Sequence, residues 1–87
     1  MITAIALAVG FIAAPPPQFD HAFRGRTVIQ YGTYAGVAAM CGGPAYGCSF
    51  IGGQDGVCVM KLVREADSPR LRRHERAHCN GWPAWHP

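Results

Sequence analysis

Residues 2–14 are nearly all apolar, and Pro15-Pro16-Pro17 ends any helix they form. A β-branched run, Thr27-Val28-Ile29-Gln30-Tyr31, lies between Gly25 and Gly32 and predicts a strand. The stretch from Tyr34 to Met40 is ambiguous and has room for one helical turn. Ser49-Phe50-Ile51, the turn-forming Gly52-Gly53-Gln54-Asp55-Gly56 and the apolar run from Val57 to Val63 predict a hairpin. After Ser68-Pro69 the pattern becomes helical. At about 100° per residue, Leu71, His74, Glu75 and His78 share one face, and Arg72, Arg73 and Arg76 the other. Ser68 suits an N-cap and Pro69 a first helical position, while Asp67 puts negative charge beside the positive end of the helix dipole. Asn80-Gly81 suits a C-cap, and Pro83 forbids resumption. The helix is predicted over residues 69–79. The fold class expected is α+β: a small antiparallel sheet packed on one helix, without internal repeats.

That helix carries the chemistry. His74-Glu75-Arg76-Ala77-His78 is an H-E-x-x-H motif. Residues i and i+4 lie one above the other on a helix, so both imidazoles can reach one Zn²⁺. Glu75 then stands beside the metal, where a carboxylate can take a proton from water. The chain breaks after Cys79 and brings His86 as a candidate third ligand. With one Leu in about 11 residues, such a helix does not hold alone.

The block His74-Glu75-x-x-His78, followed by Gly81 and a later His, resembles the zincin metallopeptidases, whose chain turns at a Gly and returns a third ligand. The metzincin branch would place that His at position 84, where this chain has Ala84; His86 comes two places later. The longer string H-E-x-x-H-C-N-G-W-P-x-x-H resembles a group of small proteobacterial and phage proteins with a Cys-containing strand before the motif helix. That resemblance covers roughly residues 41–87 and carries no established substrate. It implies zinc held by His74, His78 and His86, Glu75 as general base, and a peptide or protein substrate. In zincins the strand before the motif helix often forms the rim along which a peptide lies. By that likeness Val57, Val59 and Lys61 would offer an edge for strand addition.

Composition adds constraints. A chain of 87 residues makes one domain at most, and one this small needs staples beyond its core. Its four cysteines allow three disulfide connectivities. Cys41 and Cys48 flank a loop that can close on itself, and Cys58 in the apolar run is paired with Cys79 at the helix end. A structural zinc site built on cysteines would need ligands about two to four residues apart, which these spacings do not supply. A disulfide framework fits an exported protein.

The apolar segment 1–14 reads as a signal peptide or N-terminal apolar segment, too short to span a bilayer as a helix. No Lys or Arg precedes it, and Ala8-Val9-Gly10 is an alternative cleavage context to Ala14. The alternative to export is a buried N-terminal helix in a cytoplasmic or phage-associated protein. Residues 15–26 then form a linker and 27–87 a minimal zincin-like domain. The net charge of +3 comes mainly from arginines at 64–76, which read as a solvated face rather than a nucleic-acid surface.

The expected function is zinc-dependent peptide hydrolysis. The alternative is a non-catalytic module stabilised by zinc and disulfides, and Glu75 discriminates: a purely structural site closes its fourth position with protein and needs no carboxylate there. Tyr31, Tyr34 and Tyr46 are the candidate oxyanion stabilisers, and His21 reads as a surface residue.

Overall fold

A computed structural model of the chain describes residues 12–86. The apolar segment expected to direct export lies, up to position 11, outside the described residues.

Among the described residues, three strands and two α-helices follow in the order β1 (Thr27–Gly32), α1 (Tyr34–Cys41), β2 (Gly47–Gly52), β3 (Val57–Val63) and α2 (Pro69–Cys79). The fold is α+β, and the strand order is β1-β3-β2. β2 and β3 form the expected antiparallel hairpin, with Gly53 and Gly56 at positive φ in the turn. β1 instead runs parallel to β3, pairing Thr27 with Cys58 and Tyr31 with Leu62, so the sheet is mixed rather than wholly antiparallel. Parallel pairing needs a crossover, and α1 with β2 makes it.

β3 is therefore the central strand, paired on both sides. Val57, Val59 and Lys61 have no open edge to offer a peptide, and the expectation of strand addition there is corrected. Burial alternates along β3, with Cys58, Met60 and Leu62 buried and Val57, Val59 and Lys61 half-buried, so one face of the strand lies in the core, and Val63 at its end is buried too. The outer strand on the α2 side is β2.

Cys58, Met60 and Leu62 point to one face of the sheet and pack with Leu71 and Cys79 of α2. α1 is longer than a single turn. Thr33 caps it by accepting from the Gly36 N–H, Gly42 ends it in the left-handed region, and Val37 is fully buried. Both disulfides expected from spacing form, Cys41–Cys48 joining α1 to β2 and Cys58–Cys79 joining β3 to α2. No helix among the described residues is long and apolar enough to cross a membrane.

α2 has its predicted bounds. Ser68 accepts from the Leu71 N–H at 3.1 Å, Pro69 occupies the first turn, and Gly81 beyond the C-cap takes φ 107°. Asp67 does more than face a dipole. It accepts two bonds from Arg72, at 2.7 Å each, and one from the Tyr31 hydroxyl, tying β1 to the start of α2.

The supposed linker is a strap on α2. Pro15 is buried, and Pro17–Phe19 forms a 3-10 turn. Asp20 receives a two-pronged ion pair from Arg73, and the Asn80 amide donates to the carbonyls of Phe19 and His21. Residues 73, 77 and 80 share a helix face, and the strap lies along it. Ala77, on that face, is 1% exposed.

Candidate metal centre

α2 and the turn after it bring His74, His78 and His86 together, each offering a ring nitrogen, with the three nitrogens within 4.8 Å of one another. The Nε2 atoms of His74 and His78 face each other at 3.3 Å. Their other nitrogens are committed. The His74 Nδ1–H donates to the carbonyl of Ala13 at 2.7 Å, and the His78 Nδ1–H to the carbonyl of Trp82 at 2.8 Å. A carbonyl only accepts, so both Nδ1 atoms carry the proton, and in the neutral rings both Nε2 atoms present lone pairs. Two lone pairs aimed at one another repel unless a cation lies between them. Burial holds both rings below the usual histidine pKa, reinforced by nearby imidazoles, His78 and His86 for His74 and His86 for His78, which favours the neutral, ligating form.

Trp82 organises the third histidine. Its ring is 8% exposed and stacks on His78 with centroids 4.7 Å apart and on His86 at 3.9 Å. The turn that carries it is fixed by the Trp82 N–H donating to the Ala77 carbonyl. Nothing in the hydrophobic pattern singled out Trp82. Its only signal was its place between Gly81 and Pro83 in the segment that returns His86.

Glu75 is 3% exposed. Ser49 Oγ on β2 lies 2.9 Å from Glu75 Oε1 and 2.7 Å from the Glu75 carbonyl, and its one proton serves one of them at a time. Burial pushes the Glu75 carboxyl up to about 7, against the lowering effect of the Ser49 bond. Oε2 takes no hydrogen bond among the described residues, and no buried side-chain oxygen there is unpartnered, so it reaches the water of the cleft. Ser49 was read only as part of a strand.

These groups line a cleft of about 490 Å³. Its far side is the disulfide loop Pro44, Ala45, Tyr46, Gly47 and Cys48, and Ile12, Leu71 and Ala84 add apolar surface. Gly47, the first residue of β2, leaves no room for a side chain: a Cβ there would lie 2.8 Å from Leu62 Cδ2 and 3.4 Å from Glu75 Oε2. Of the tyrosines, Tyr46 lines the cleft, Tyr34 packs edge-on against it, and Tyr31 is engaged with Asp67 and Arg72. His21 is exposed. Two of the three arginines expected to be solvated are held in ion pairs, Arg72 with Asp67 and Arg73 with Asp20.

Compared with models of protein families, with curated proteins and with solved structures, the chain gives no match. Its chemistry has to be read from its own geometry, which is that of a three-histidine cluster able to hold a metal ion beside a buried carboxylate.

Proposed function

We propose that the protein is a zinc-dependent peptidase working in an oxidising compartment outside the cytoplasm. One observation carries the reading: two Nε2 atoms 3.3 Å apart, each with its Nδ1 fixed by a carbonyl, open onto a cleft with a buried carboxylate. Two nitrogens bound at Zn–N distances of about 2.0–2.1 Å in a tetrahedron are separated by about 3.3–3.4 Å, so the His74–His78 spacing would suit this ion, with His86 able to close in from within 4.8 Å. Three protein ligands and an open fourth position make the donor set of a catalytic site.

When bound, zinc supplies Lewis-acid chemistry, acidifying water and polarising a carbonyl. Glu75 takes the proton of the attacking water on Oε2 while Ser49 holds Oε1. A carboxyl with a pKa near neutrality both accepts that proton and returns it to the leaving amine. β2, the outer strand bordering the cleft, is the edge along which an extended peptide can pair, replacing the central strand in that role. Tyr46 faces the cleft as the phenol able to steady a developing oxyanion. The two disulfides favour an oxidising compartment.

The test is metal content followed by turnover. Protein isolated without added zinc should carry about one equivalent, and His74→Ala or His78→Ala should abolish it. Wild type should then cleave unstructured or peptidoglycan-derived peptides. A protein that folds fully without metal and gains no stability from it would overturn the reading.

A further inference from the structure

The two central histidines are oriented by carbonyls of different origin. For His78 the acceptor is Trp82, four residues on, in the turn that ends α2. For His74 it is Ala13, 61 residues away in the chain. We infer that the strap 12–21 is a positioning element of the metal centre, delivering the Ala13 carbonyl that fixes the tautomer and ring orientation of His74. The inference rests on the metal-binding reading of the histidines and on a chain that keeps Ala13, as the Ala8-Val9-Gly10 cleavage context or an uncleaved segment does and cleavage at Ala14 does not.

The His74 ring makes no other Nδ1 bond among the described residues. Without that acceptor both neutral tautomers are open to it, and in one of them Nε2 carries a proton and cannot ligate. Acceptors behind ligating histidines set ring orientation and raise ligand basicity, and losing one typically costs about 10–100-fold in metal affinity.

The strap is built to hold that carbonyl still. Next to it, Ile12 packs on the core and walls the cleft. Pro15 is buried two residues on, and no proline in the strap has a backbone N–H to satisfy. The far end is fastened by Asp20 to Arg73 and by Phe19 and His21 to Asn80, and Phe19 Cε1 lies 3.7 Å from where a Cβ on Gly81 would stand. These anchors lie on the face that Arg73 and Asn80 share, about a third of a turn round α2 from His74.

The acceptor is main chain, so no side-chain substitution removes it, but Cys41 is a ligation point for assembling the full chain from a synthetic 1–40 segment. Replacing Ala14 by lactic acid turns the Ala13–Ala14 amide into an ester, whose carbonyl is the weaker acceptor. The N–H thereby lost from residue 14 takes part in no hydrogen bond among the described residues. Zinc and cobalt affinities would be measured by chelator competition, alongside thermal unfolding of the metal-free chains. The ester should weaken both affinities by about 10-fold or more, with the metal-free midpoint little changed. Asp20→Asn, which loosens the far anchor, should weaken them in the same direction by less. Unchanged affinity in the ester would overturn the inference while leaving the metal site standing, as would lower metal-free stability at constant affinity. A wild-type chain taking up neither metal would instead remove the metal reading and the inference with it.

Discussion

Cys58 and Cys79 are disulfide-bonded across a Cα–Cα distance of 5.7 Å, which ties the central strand to the last turn of the helix carrying His74 and His78. Cys79 follows His78 directly yet points into the core, so one turn of helix sends one side chain to the cleft and the next to the sheet. The bridge fixes where α2 ends, and hence where the Trp82 turn begins.

Removing that bridge should therefore cost stability and metal together. Its loop spans 21 residues, for which the chain-entropy treatment gives roughly 3 kcal/mol; for the Cys41–Cys48 bridge, spanning 7, it gives about 1 kcal/mol less. Denaturant unfolding of Cys58→Ser/Cys79→Ser and Cys41→Ser/Cys48→Ser should reproduce that order, with the metal affinity falling further in the first. Equal affinities in the two variants would show that the end of α2 is held by other contacts.

The parts of this fold that were legible are those with local causes. Ser68-Pro69 and Asn80-Gly81 bracket α2 because caps and proline act within one turn. The glycines of the 52–56 turn give the hairpin for the same reason. The partner of β1 was not legible, since a β-branched run states that a strand forms but not beside which neighbour. The zincin likeness points to an edge at 57–63, and the run itself, with Lys61 inside it and alternating burial, suits an edge or a central strand alike; only the pairing of β1 and β2 on either side decides it. The strap is not legible in the sequence because a proline-rich segment has no period. Its bonds run through main-chain carbonyls and through Asp20, whose partner Arg73 is 53 residues away. In the site, His74, Glu75 and His78 follow from one helical spacing and His86 from the break after it, while Ser49 and Trp82 come from elements whose approach depends on tertiary packing.

Asp67 sets an acid limit on the fold. Bonds from Arg72 first, then from Tyr31, hold its carboxyl well below the usual carboxylate range. A depressed folded pKa means that the contribution is present above the unfolded value of about 4 and is lost as pH falls towards the folded one. Asp67→Asn should be less stable than wild type at pH 7, and the gap should close on acidification as the wild type loses the same charge. Thermal midpoints of both proteins between pH 7 and pH 2 would show it. A gap that stays constant over that range would mean that the Asp67 charge contributes nothing and only its hydrogen bonds count.

Glu75→Gln separates fold, metal and chemistry in one variant. Gln is nearly isosteric, can still accept from Ser49 at its amide oxygen, and replaces no proposed ligand, so zinc should be retained. Hydrolysis should fall by about 10²–10⁴-fold, the usual contribution of a general base. Stability of the metal-free chain should move the other way. Burial raises the Glu75 carboxyl from its ordinary 4.5 to about 7, so the folded state keeps a proton that the unfolded state gives up. The stability this contributes is fully present below about 4.5 and is lost as pH rises through about 7. Gln carries no such penalty, so between pH 5 and 8 the gap between variant and wild type should shift in the variant's favour, and then level off. Wild-type activity in Glu75→Gln would remove the general-base role. Loss of zinc would make Glu75 a ligand. An unchanging stability gap between pH 5 and 8 would mean that the carboxylate is already ionised and solvated in the fold, which would leave the cleft too wet to raise its basicity.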